Sequence, residues 1–176
     1  MEQGEAILIR KQAWRDTSLL ATWITPSRGK VSTMARSARK PGNPFGGVLD
    51  LFHTVEIGYA PAKRGDLHTL KEVKLLRAFQ SPSTPNLFLA GYFAELVDLS
   101  TQDGHEAAGL YDLFSRAIGF LSSQPASRRA LEFFETEVCR VLGILEEEAT
   151  ALRTIEHYCG RIPESRNAVC GLLPRP

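Results

Sequence analysis

Leu67-His68-Thr69-Leu70-Lys71-Glu72-Val73-Lys74-Leu75-Leu76-Arg77-Ala78-Phe79 reads two ways, and the fold turns on the choice. Leu67, Leu70, Val73, Leu76 and Phe79 recur every third residue, which favours a helix. Val73, Leu75, Arg77 and Phe79 alternate, which favours a strand. Periodicity alone does not decide between them. The chain on either side differs in kind.

Upstream, the residues read as short strands. Ala6-Ile7-Leu8-Ile9-Arg10 is a compact apolar run, and Arg15-Asp16 is a polar turn. Leu19-Leu20-Ala21-Thr22-Trp23-Ile24-Thr25 is rich in β-branched and aromatic side chains, and Pro26 stops it. Ser27-Arg28-Gly29-Lys30 is a hairpin signal, because Gly29 adopts a positive φ at little cost. Val31-Ser32-Thr33-Met34-Ala35 alternates as a half-buried strand does. A basic loop with Pro41-Gly42, Pro44 and Gly46-Gly47 follows, then an expected strand over Val48–Ile57. Ala60–Asp66 is another basic turn, carrying Lys63 and Arg64.

Downstream, the period becomes helical. Thr84-Pro85 reads as an N-cap with proline in the first turn, and Leu89, Phe93 and Leu96 share a face. Leu110, Leu113, Phe114, Ala117, Ile118 and Leu121 form the stripe of a second helix. Pro125 opens a third, with Ala130, Phe133, Phe134, Val138, Val141 and Leu142 as its apolar side. Glu146-Glu147-Glu148 fits the acidic first turn of a fourth, marked by Ala149, Leu152, Ile155 and Cys159. Beyond Gly160 the chain reads as loop. The expected class is α+β, with a β domain over 1–80 and an all-α helical domain over 81–176.

Composition narrows the function. Apolar residues make up 43% of the 176, enough for a core. No apolar run approaches the roughly 20 residues of a membrane span. The acidic start Met1-Glu2-Gln3-Gly4-Glu5 does not read as a signal peptide, and three cysteines make no paired disulfide framework. A reduced, cytoplasmic protein is expected. The net charge is only +1, but residues 1–77 hold 13 basic against 7 acidic side chains, and residues 78–176 hold 8 against 13. The first half suits a polyanion; the second does not.

Enzyme signatures are missing. There is no phosphate-binding glycine loop, no His-Glu-x-x-His and no Gly-x-Ser-x-Gly, and His53, His68, His105 and His157 stand singly. Cys139, Cys159 and Cys170 lack the close pairs of a zinc site, so neither metal nor cofactor is expected. The informative residues are cations. Arg28 and Lys30 flank the hairpin glycine; Arg36, Arg39 and Lys40 follow with no acid before Asp50. Lys63 and Arg64 occupy a later turn, and Arg10, Lys11 and Arg15 lie on or near the first strand. Cations on loops beside a small barrel make a groove that follows a phosphate backbone. Trp14 and Phe45, near turns, are candidates for base stacking, whereas Trp23 sits in an apolar run and reads as core.

In order and spacing these elements resemble the RecO family of bacterial recombinational-repair proteins. Glu5-Ala6-Ile7-Leu8-Ile9-Arg10 is similar to the family's first strand, and Thr25-Pro26-Ser27-Arg28-Gly29-Lys30 to its Thr-x-x-x-Gly-Lys hairpin. Ala35-Arg36-Ser37-Ala38-Arg39-Lys40 resembles its basic segment, with Ser37 where glycine is common, so that a different loop backbone is expected. Ala90-Gly91-Tyr92-Phe93-Ala94-Glu95-Leu96 and Phe133-Phe134-Glu135 through Leu142-Gly143 resemble its helices. The resemblance implies an N-terminal OB-fold barrel, closed by residues 67–79 as a strand, and a helical domain. It implies binding of single- and double-stranded DNA, strand annealing, and help in loading RecA together with RecR and single-stranded-DNA-binding protein, without catalysis. It also places the protein at the bacterial nucleoid. The acidic tail of single-stranded-DNA-binding protein, ending in an apolar residue, would need an apolar pocket beside a cation, for which Arg128 and Arg129 are candidates. Many members carry a four-cysteine zinc motif; only Cys170-Gly171 stands near that place here. The competing expectations are an OB-fold adaptor that binds proteins and an RNA-binding barrel.

Overall fold

The computed structural model describes residues 1–43, 45, 47–146 and 148–174. The chain forms two units, Met1–Phe79 with Thr101–Tyr111, and Gln80–Ser100 with Asp112–Pro176. The first unit holds strands β1 (Glu2–Trp14), β2 (Ser18–Thr25), β3 (Gly29–Ala35), β4 (Thr54–Ala60) and β5 (Leu67–Arg77). They close into a barrel in the order β1-β2-β3-β5-β4, an OB-like arrangement.

Leu67–Arg77 is therefore a strand, and its register explains the helical spacing. β4 pairs Ile57 with Val73, Gly58 with Glu72, and then Tyr59 with Leu70, passing over Lys71. Nearer the other end Val55 meets Leu75 and Thr54 meets Arg77, passing over Leu76. Each bulge inserts one residue into the two-residue alternation. Leu70 and Val73, three apart, thus both reach the barrel core.

That core gathers Ala6, Leu8, Trp23, Val31, Val55 and Ile57. Trp23 is fully buried, as its apolar setting implies, and its Nε1 donates to Thr33 Oγ1 at 2.8 Å. The threonine faces inward because the indole N–H needs an acceptor there. Residues 48–53 are not strand; β4 begins only at Thr54. Phe52 adopts φ 67° and packs edge-on against Phe79, ring centroids 5.3 Å apart. Pro44 and Gly46, part of the preceding loop's punctuation, lie outside the described residues.

The β2–β3 hairpin carries a constraint beyond its turn. Gly29 has φ 57°, and a Cβ there would stand 2.0 Å from the His105 carbonyl oxygen. The Thr101–Tyr111 segment causes this approach: Asp103 bridges to Gly29 and Lys30, and Gly104 N–H donates to Lys30 O at 3.3 Å.

The helices are α1 (Thr84–Ser100), α2 (Ala108–Leu121), α3 (Arg128–Val141), α4 (Ala151–Cys159) and α5 (Ser165–Leu172). At the start of α1 the Ser83 hydroxyl accepts from Asn86 N–H at 3.4 Å, so the capping side chain is one residue before Thr84. Ser127 caps α3, leaving Pro125 outside it. Thr150 caps α4, so Glu146 and Glu148 precede that helix instead of forming its first turn; Glu147 lies outside the described residues. On α3 the buried side is Leu131, Phe134, Glu135, Val138 and Cys139, which leaves Phe133 60% exposed and turns Val141 outward.

The stretch after Gly160, expected as loop, contains α5. Its eight residues include Gly171, and its N-terminus has no side-chain cap, so propensity alone is poor. Tertiary contacts supply the stability: Val169 is fully buried, Ser165 Oγ donates to Glu95 Oε2 at 2.6 Å, and Arg166 pairs with Glu135. No helix among the described residues is long and apolar enough to cross a membrane.

Candidate nucleic-acid interface

The cation cluster between Arg28 and Lys40 is divided by β3. This seven-residue strand puts Arg28 and Lys30 at one end of the barrel and Arg36, Arg39 and Lys40 at the other. The separation is about 20 Å at ~3.3 Å per residue.

At the second end, the loop after β3 is tied to the β1–β2 turn. Arg39 N–H donates to Thr17 O at 2.9 Å, and Arg39 Nη1 donates to Asp16 O at 3.3 Å. Leu19 pairs with Ala35 just inside. These contacts gather Arg15, Arg36, Arg39 and Lys40, all exposed, at the end of β1 that closes on Trp14. Trp14 is 38% exposed and keeps a surface for stacking. Ser37 takes φ 56°, the left-handed region that favours glycine, so the loop keeps a glycine-type backbone despite the serine.

Phe45 does not share this exposure. It is only 5% exposed and belongs to the barrel core, which removes it as a base-stacking platform. Lys11 is also engaged. Its Nζ meets Asp50 Oδ1 at 2.7 Å and Leu49 O at 3.2 Å. Partial burial raises the Asp50 carboxyl, but the hydrogen bond and charge of Lys11 outweigh that and hold it below its ordinary value. Arg10 is exposed on β1.

At the first end the hairpin cations face acids. Arg28 Nη2 lies 3.0 Å from Glu2 Oε1, and Tyr59 Oη donates to Glu2 Oε2 at 2.7 Å. Burial, with the adjacent Glu2 carboxylate, pushes the Tyr59 phenol up to about 12. Lys30 Nζ lies 3.8 Å from Asp103 Oδ1. Register brings the β4–β5 turn to this same end: Glu2 pairs with Tyr59, and Leu67 with Ser32. Lys63 and Arg64 are exposed on that turn. Glu2 and Asp103 are neighbours of the hairpin cations that sequence reading missed, because both reach the hairpin only through the fold.

The helical unit has a groove of about 450 Å³ between α2 and α3, lined by Phe93, Leu113, Phe120 and Phe133 with Arg116 and Arg129. Of the two expected cations, Arg129 stands on the groove. Arg128 instead turns to the end of α5, where Nη2 donates to Cys170 O at 3.4 Å. A cation there complements the negative end of the helix. Arg116 takes its place at the groove and pairs with Asp112 at 3.2 Å.

The same unit holds a polar triad with a buried carboxylate, Glu135. Arg166 Nε and Nη2 donate to Glu135 Oε1 at 2.6 Å and Oε2 at 3.1 Å, and Tyr92 Oη donates to Oε1 at 2.6 Å. Burial and the Glu135 carboxylate raise the Tyr92 phenol. The Glu135 hydrogen bonds raise the Arg166 guanidinium against the opposing effect of burial.

Two family descriptions match the chain in order: Recombination protein O N terminal over residues 1–79, and Recombination protein O C terminal over residues 82–145. A DNA repair protein RecO from Rhodopirellula baltica is 31% identical over 161 residues, covering 90% of this chain and 58% of that protein. One from Anaeromyxobacter dehalogenans is 30% identical over 141 residues, covering 79% of this chain and 56% of that protein. The chain thus spans somewhat more than half the length of these relatives. With an OB-like barrel under the first matched region and helices under the second, the chain belongs to the RecO family.

Proposed function

We propose that this chain acts in recombinational DNA repair, by binding single- and double-stranded DNA and bringing complementary strands together. The observation that carries the reading is the gathering of Arg15, Arg36, Arg39 and Lys40 beside the exposed Trp14. Cations neutralise phosphates and release counterions, and the indole offers a face to any base, so the binding is salt-sensitive and tolerant of sequence. Two strands held against such a patch repel each other less. Lys63 and Arg64 add charge at the far end, and Arg10 along β1. The work takes place in the cytoplasm, at the nucleoid.

The test is fluorescent single-strand binding across salt for the wild type and Arg36→Ala/Arg39→Ala/Lys40→Ala. Loss of three phosphate contacts lowers the salt slope by about 2, at ~0.7 per phosphate on a single strand. Unchanged affinity in the triple variant overturns the site. Absence of salt-sensitive binding by the wild type overturns the function.

A partner role is favoured by the groove in the helical unit. Its aromatic walls with Arg116 and Arg129 suit an acidic peptide ending in an apolar side chain, the chemistry of the tail of single-stranded-DNA-binding protein. Docking there, with RecR as a second partner, fits assistance in loading RecA. A labelled tail peptide should bind the wild type and lose affinity in Arg129→Ala; equal binding by both removes the groove from the reading. A barrel that serves RNA or proteins instead would retain its partner when DNA is digested or outcompeted.

A further inference from the structure

Arg28 and Lys30 have the residue type of phosphate contacts, yet in this structure each faces a carboxylate of its own chain. We infer that Glu2 and Asp103 are internal stand-ins for DNA phosphates, which mask the hairpin cations until a strand displaces them. The inference rests on the DNA-binding reading above and adds a gated second contact at the opposite end of the barrel.

Three observations support it. The Arg28–Glu2 pair is accessible, its side chains 56% and 33% exposed, so the interaction is screened by water and readily exchanged; at the second pair Asp103 is 40% exposed and Lys30 20%. Glu2 is held in place independently of Arg28, because Tyr59 Oη donates to its other oxygen and β1 pairs Glu2 with Tyr59. Asp103 is held by its bridges to Gly29 and Lys30. The Glu2 carboxylate is thus a fixed partner and Asp103 is fixed at its backbone, while the Arg28 guanidinium sits on a long side chain that can swing away. A polar groove of about 710 Å³ runs beside the pair, between Glu2–Glu5 of β1 and Thr25–Arg28 of the hairpin. It provides space for a sugar-phosphate segment to approach Arg28.

The charges at this end set the order of events. Lys63 and Arg64 are exposed on the adjacent turn and attract a polyanion. A phosphate brought near by them accepts from Arg28 in two parallel bonds, where Glu2 Oε1 is bonded by a single nitrogen. Displacement transfers Arg28 from carboxylate to phosphate and leaves Glu2 with Tyr59 and water. The acids therefore lower affinity for short or weakly held strands, and strands that reach both ends of the barrel recover the contact.

The experiment measures single-strand binding at several salt concentrations for the wild type, Glu2→Gln, Arg28→Ala and the double variant. Glu2→Gln should bind on the order of two- to five-fold more tightly at low salt, the scale of an exposed ion pair. Its salt slope should steepen by about 0.7, one more phosphate on a single strand. The gain must vanish when Arg28→Ala is added. Asp103→Asn, tested against Lys30→Ala, should behave in the same way and provides a second variant on a different segment. Equal or weaker binding by both acid variants overturns the mask, as does a gain that survives loss of the cation, which would report general charge. Either result leaves the DNA-binding reading intact. A wild type with no salt-sensitive binding overturns that reading and the mask together.

Discussion

Each of the two units holds a glutamate that accepts from one tyrosine and one arginine. In the barrel, Tyr59 and Arg28 both donate to Glu2; in the helical unit, Tyr92 and Arg166 both donate to Glu135. They differ in geometry and in solvent: Arg28 reaches Glu2 through one nitrogen, whereas Arg166 holds Glu135 through two. The Glu135 side chain is 3% exposed and Arg166 17%, whereas the barrel pair lies open to water. A buried charge deprived of its partner cannot turn to water, so the helical triad behaves as a lock that holds α5 to α1 and α3. An exposed charge can, so the Arg28–Glu2 pair of the barrel is suited to exchange, with Tyr59 buried behind it. The same residue types are buried and doubly bonded in one place, and partly exposed and singly bonded in the other.

Breaking each triad in turn tests the contrast. Glu135→Gln should destabilise the protein most, by about 3–5 kcal/mol, since Arg166 is left buried without its counter-charge. Denaturant unfolding reads this, and a loss below about 1 kcal/mol would place the helical triad in the exposed class. Tyr92→Phe should come next, at roughly 1.5–3 kcal/mol for a hydrogen bond to a charged group. Tyr59→Phe should lose less, about 0.5–1.5 kcal/mol, because its acceptor Glu2 is partly exposed and can turn to water.

The alkaline limb sharpens the same point. The folded state keeps the Tyr59 phenol protonated to about 12, against an ordinary value of 10.0. The contribution is therefore complete below pH 10 and is lost as pH rises towards 12. Tyr59→Phe should show a shallower fall in stability across that window; an identical fall would remove Tyr59 as its source. The smallest effect is expected from Glu2→Gln, within about 1 kcal/mol by the same unfolding measurement. A loss on the scale of Glu135→Gln would show that the barrel triad is also a lock, and the masking role would then have to yield to a structural one.

Much of this arrangement can be read along the chain where local chemistry decides it. Gly29 marks the hairpin because a turn needs its backbone freedom, and Trp23 reads as core from its apolar flanks. Trp14 stays exposed as its place near a turn implies. Other readings fail where a distant segment intervenes. Phe45 looks like a loop aromatic, yet the barrel closes over it. Arg128 and Arg129 are neighbours in sequence, but one helical step sends the first to Cys170 and leaves the second on the groove, while Arg116 arrives from another helix. The α5 helix has weak local signals and forms because Glu135, 31 residues away, offers a buried partner to Arg166.

The sequence by itself determined the change from strands to helices near residue 80, most of the individual elements, the basic and acidic halves, and where the cations fall along the chain. These follow from local propensity and composition, which need no knowledge of neighbours. Only the tertiary structure decided that Leu67–Arg77 is a bulged strand, that β3 separates the cations into two groups, and that Glu2 and Asp103 cover one of them. Register and long-range pairing make those choices, and they depend on which remote residues meet when the barrel closes.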